Sequence, residues 1–99
     1  MNFEAHVRRA LDSLPPEVAR RLENVAVVVE DENPDDPDLL GLFEEHAYMP
    51  AKVSIYRLPL EGAFPDPGEL EREIRITVLH ELAHYFGIDE GRLEELGYD

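Results

Sequence analysis

The chain contains no cysteine. Disulfides, zinc–thiolate sites and thiol catalysis are therefore excluded, and the composition suits a reducing cytosol. It is also poor in basic residues, with 9 Lys and Arg against 23 Asp and Glu and a formal charge of −14. A nucleic-acid partner needs clustered cations to displace counterions from its phosphates, so none is expected. Such a surface favours basic or neutral partners, although acidity also serves solubility without any partner. No apolar run approaches membrane-spanning length, and Met1-Asn2-Phe3-Glu4 lacks the basic-then-apolar order of a signal peptide. The expectation is a soluble, cytoplasmic protein without membrane association. Its 99 residues suit one domain, 1–99, around one modest core.

The patterning along the chain predicts an α+β fold. Phe3, Val7, Ala10, Leu11 and Leu14 recur at helical spacing, and Pro15-Pro16 ends that segment and opens a short helix over 17–22. His6 is expected at the surface of the first helix. The β-branched run Asn24 to Glu30 reads as a strand covered on both faces. Asp31 to Asp38 holds five acids and two prolines. It lacks the D-x-D-x-D-G spacing of a calcium loop and reads as solvated loop. A second short strand is expected over 39–43, and His46 falls in the polar stretch after it. Lys52 to Arg57 alternates polar and apolar residues, which predicts an edge strand with one wetter face, able to pair with an extended peptide. Leu58 to Pro67, with three prolines and a glycine, is expected to be irregular.

A long helix opens at Asp66 or Gly68, with Glu69, Glu71 and Glu73 near its positive end. Leu70, Ile74, Val78, Leu82 and Phe86 form an i, i+4 apolar stripe. Gly87 suits the left-handed residue that ends a helix, and a short C-terminal helix follows over 89–96. Beside the apolar stripe, at the end of the long helix, stands His80-Glu81-Leu82-Ala83-His84, an H-E-x-x-H motif. Histidines four apart share a helix face one turn from each other, so both imidazoles reach one ion. Glu81 can take a proton from a water activated at that ion. A shuffled chain of this composition produces the motif about 2% of the time, so its helical setting and the glycine break carry the argument.

A catalytic zinc site usually takes three protein ligands. In H-E-x-x-H-x-x-G-x-x-[H/D] sites the third is the sixth residue after the second histidine, here Glu90. Asp89, one earlier, is the alternative ligand and equally suits the N-cap of the last helix. Glu94 and Glu95 are more distant candidates.

The stretch Thr77 to Ile88, with Arg92 to Tyr98 after it and Leu40-Gly41-Leu42-Phe43-Glu44 and Ile55-Tyr56-Arg57 upstream, resembles the small bacterial zincin-like family, whose fold is a minimal metzincin-like or matrix-metalloprotease-like one. The resemblance implies a small mixed sheet backed by helices, with a long active-site helix and a short C-terminal one. It also implies zinc held by His80 and His84, Glu81 as general base, and hydrolysis of a peptide or protein substrate. Two features depart from the pattern. Glu90 stands where the family mostly has Asp. Met1 and Met49 both precede the motif, so the methionine turn of larger metzincins is missing and the C-terminal helix must close the underside. Tyr98 is either a core plug or a phenol that stabilises the oxyanion, alternatives that also stand for Tyr48, Tyr56 and Tyr85. Two other readings stay open: a zinc protein or non-peptide hydrolase without protease activity, and an acidic protein-binding module with a vestigial site.

Overall fold

The computed structural model describes residues 2–87 and 89–95, with the backbone alone at Glu90 and Leu93. Helix α1 (Phe3–Asp12) starts where the Asn2 side chain accepts the Ala5 N–H at 2.8 Å, the usual way of satisfying a free first-turn donor. Helix α2 (Pro16–Arg21) has its proline at N1, where the missing N–H costs nothing. A 3-10 turn leads into strand β1 (Val25–Glu30), followed by β2 (Gly41–Glu44), β3 (Ala51–Tyr56), α3 (Arg57–Ala63), α4 (Pro67–Phe86) and α5 (Glu90–Glu95). The α+β class and the small mixed sheet backed by helices are as the sequence leads one to expect.

The strand order is β1-β3-β2. β1 runs parallel to β3, with Val25 opposite Ala51, and β2 runs antiparallel to it, with Gly41 opposite Ile55 and Glu44 opposite Lys52. This order corrects two expectations. Lys52 to Tyr56 is the central strand, and Ser54 and Tyr56 on its supposedly wet side are buried. Hydrogen-bonded strands flank β3 on both sides, and the Lys52 side chain reaches Glu44 on β2 (3.5 Å) and Glu30 on β1 (3.9 Å). β1, expected to be covered on both faces, is an edge strand. Val25, Val27 and Val29 pack against the core, while Ala26 and Glu30 are exposed.

One core joins the helices to one face of the sheet. Phe3, Val7, Ala10 and Leu14 meet Leu70, Ile74, Val78 and Leu82 over Val53 and Ile55. His6 belongs to this interface and is only 7% exposed, contrary to the surface position expected of it. Its Nδ1 lies 2.6 Å from Glu71 Oε2, and Arg9 donates to the other Glu71 oxygen at 2.9 Å. A half-buried carboxylate thus satisfies both α1 side chains, and Arg9 first and His6 second hold its pKa below the ordinary value. α3 occupies part of the stretch expected to be irregular. Pro59 is its third residue, inside the first turn where backbone N–H groups have no intrahelical partner, so proline is tolerated there.

α4 is capped at both ends. Asp66 Oδ2 accepts the Glu69 N–H at 3.0 Å, and Gly87 adopts φ 67° while its N–H returns to the Ala83 carbonyl. That left-handed conformation is one that side-chain-bearing residues seldom adopt. No described helix is long and apolar enough to cross a membrane.

Candidate metal centre

The α4 stripe determines which residues face outward. Ile74, Val78 and Leu82 are fully buried, and at 100° per residue this turns His80 and His84 away from the core. Both histidines are exposed and Glu81 is half-buried. The two imidazole centroids lie 4.7 Å apart, with ring planes inclined by 55°. Two neighbouring nitrogen donors on consecutive turns fit the histidine half of a zinc site.

Beside them is a cleft of about 440 Å³. One wall is Asp36, Asp38 and Leu39 to Gly41; the other is the Glu73, Ile76, Thr77, His80 and Glu81 face of α4. The acidic loop is exposed apart from the half-buried Asn33, as its composition leads one to expect, and its Asp36 and Asp38 share this cleft with His80 and Glu81. It is pinned to the sheet through Asn33. The Asn33 Oδ1 accepts the N–H groups of Asp35 (2.8 Å) and Asp36 (3.0 Å), and its Nδ2 donates to the buried Tyr56 hydroxyl at 3.0 Å. A larger cleft, about 790 Å³, opens beside Pro67 and Leu70. It contains neither motif histidine, and its cation Arg57 is occupied by Asp31 (3.0 Å) and Glu61 (2.8 Å), so the chemistry concentrates in the smaller one.

β2 lies along the same turns of α4 and is fastened at two points. Gly41 sits so near α4 that a Cβ there would lie 2.6 Å from Thr77 Cγ2 and 3.8 Å from Glu81 Cγ. Phe43 stacks on Tyr85 with ring centroids 4.3 Å apart. The Tyr85 hydroxyl hydrogen-bonds Glu45, which raises the phenol's pKa, since the neighbouring carboxylate opposes a second negative charge. The edge strand beside the motif is thus β2 and not β3.

The residues after Gly87 divide. Asp89 Oδ1 accepts the Arg92 N–H at 2.8 Å, making Asp89 the N-cap of α5. Arg92 in turn holds Glu95 at 2.7 Å and pairs with Glu17 of α2, which ties the last helix to the body. The Glu90 side chain, Ile88, Leu96 and Tyr98 lie outside the described residues. Among the described residues, no three of His, Asp and Glu gather as a metal-binding group. Glu94 and Glu95 are exposed. His46 is exposed on the loop after β2 and does not line the cleft, Tyr48 is wholly exposed, and Tyr56 is spent on Asn33. Sequence reasoning overlooked Asp36, Asp38, Gly41 and Thr77. For Gly41 a signal existed, because an isolated glycine within a strand marks close approach of another element.

No curated protein matches the chain. The sequence profile of the zincin-like metallopeptidase family matches residues 22–98, which takes in all three strands, the acidic loop and the whole of α4. The chain belongs to the zincin-like metallopeptidase family.

Proposed function

We propose that this protein is a zinc-dependent peptidase that hydrolyses peptide bonds in a peptide or protein substrate. One observation carries the reading: paired imidazoles on the outer face of α4 adjoin a cleft whose wall includes the half-buried Glu81. His80 and His84 would hold the ion through their imidazole nitrogens. Glu90 would complete the set, a choice supported by the motif's spacing and by the capping duty of the Asp89 oxygen. Zinc, when bound, supplies Lewis acidity that brings a water's pKa toward neutrality and polarises the scissile carbonyl. Glu81 takes the proton from the attacking water and delivers it to the leaving amine. The cleft between the acidic loop and α4 receives the chain being cut, and a basic or neutral segment suits its Asp36 and Asp38 wall.

Incubation of the zinc-loaded protein with a library of unstructured peptides, with and without a chelator, tests this. Cleavage that stops on chelation and returns with zinc is the expected result. Zinc-loaded protein that cuts no peptide would instead favour a non-peptide substrate or a structural metal.

A further inference from the structure

Gly41 stands at the first position of β2, opposite Ile55 of the central strand, with the motif helix on its other side. A Cβ at this position would lie 2.6 Å from Thr77 Cγ2, 3.2 Å from the Ser54 carbonyl oxygen and 3.8 Å from Glu81 Cγ. Carbon pairs settle at about 3.5–4.0 Å, so the first approach is impossible and the second is tight. Neither blocking atom yields easily. The Ser54 oxygen is backbone of β3. The Thr77 rotamer is held by its hydroxyl, which donates to the Glu73 carbonyl at 2.8 Å, and a β-branched side chain in a helix has few alternatives. The requirement is one of space: among the described residues Gly87 is the glycine with positive φ, and Gly41 is not.

Glu81 Cγ, at 3.8 Å, is at ordinary contact distance, so a side chain at position 41 would push β2 off the helix at Thr77, one turn before Glu81. The strand cannot retreat as a whole, because Phe43 remains stacked on Tyr85. Relief of the Thr77 clash by tilting about Phe43 would open the strand along the Thr77–Glu81 turn. We propose that Gly41 is a positioning residue for Glu81: the missing side chain sets how deeply the edge strand seats on α4, and so where the Glu81 carboxylate stands. The inference rests on the general-base role given to Glu81 above. It goes beyond that role by assigning the seating to a residue outside the motif.

The test uses Gly41→Ala, Thr77→Ser and the double variant. Serine keeps the bond to the Glu73 carbonyl and removes the methyl that blocks the new Cβ. In Gly41→Ala, kcat on a cleaved peptide should fall at least about tenfold, since displacements near 1 Å are costly to catalysis, while KM changes less than about threefold. Thr77→Ser alone serves as the reference, and the double variant should reach most of the kcat and melting temperature of Thr77→Ser. The second readout needs no activity. In metal-free protein, the Glu81 γ-methylene resonances should shift in Gly41→Ala and return in the double variant. Unmoved Glu81 resonances, or parental kcat in Gly41→Ala, would overturn the proposal, as would a double variant that recovers stability without kcat. If the parent cleaves no peptide, the peptidase reading fails alone and the resonances decide. If Gly41→Ala does not fold, parental Glu81 resonances in the double variant support the assignment, and a double variant that also fails to fold refutes it.

Discussion

The two faces of α4 share one backbone and have opposite requirements. Inward, Ile74, Val78 and Leu82 are sealed from water against β3 and α1. Outward, His80 and His84 stand in solvent, with Glu81 half-covered at the cleft. Leu82 lies in sequence between the two histidines, yet its side chain belongs to the core. The difference teaches that the stability of the helix and its chemistry are separable by residue. The buried stripe fixes the rotation of the helix, and that rotation presents the histidines. Exposed side chains such as His80 and His84 bury little surface, so their exchange should cost the fold little.

Substitutions on each face should therefore act on different properties. The largest effect is expected from Glu81→Gln, which keeps size and exposure while removing the base. Peptide turnover should fall about 10²–10⁴-fold, with zinc content and melting temperature at parental values. Zinc retention with undiminished hydrolysis would remove Glu81 from the mechanism. Leu82→Ala, one residue along, should do the reverse. It should cost about 2–5 kcal/mol of stability in denaturant unfolding, while the fraction still folded binds zinc with parental stoichiometry. A small stability loss accompanied by loss of metal would mean that the faces are not separable.

The smallest effect is expected far from the motif, at Glu71. Arg9 and His6 hold its carboxyl below the ordinary value of 4.5, so its contribution to stability is complete above that value and is lost as pH falls through the lower folded value. Glu71→Gln should therefore lower the melting temperature by a few degrees near neutral pH, and the gap should close in acid as the parental carboxyl itself becomes neutral. A gap that persists at low pH would assign the loss to packing.

What could be read from the sequence follows the same division. The helical face of α4, its Asp66 cap, the Gly87 break and the paired histidines are all local, written in spacings of three and four residues and in single capping residues. Sheet order is not local. The alternation of Lys52 to Tyr56 suggests an edge, but whether a strand is central depends on what pairs with it, and β2 closed the second side. His6 shares the inward side of α1 with Phe3 and Ala10, so its burial was visible in the helical spacing. Its partner Glu71, 65 residues away, was not. Gly41 marked a close approach without naming the helix that makes it, and the acidic loop's place at the cleft depends on the long-range bond from Asn33 to Tyr56.

On the proposed function, the outer face of α4 binds metal independently of the core beneath it. Zinc stoichiometry by atomic absorption, on the parent and on His84→Ala, tests it most directly when paired with the melting temperature of both metal-free proteins. The account predicts about one zinc per parental chain, none in the variant, and metal-free stabilities within about 0.5 kcal/mol of each other. Unchanged zinc stoichiometry in His84→Ala would contradict it.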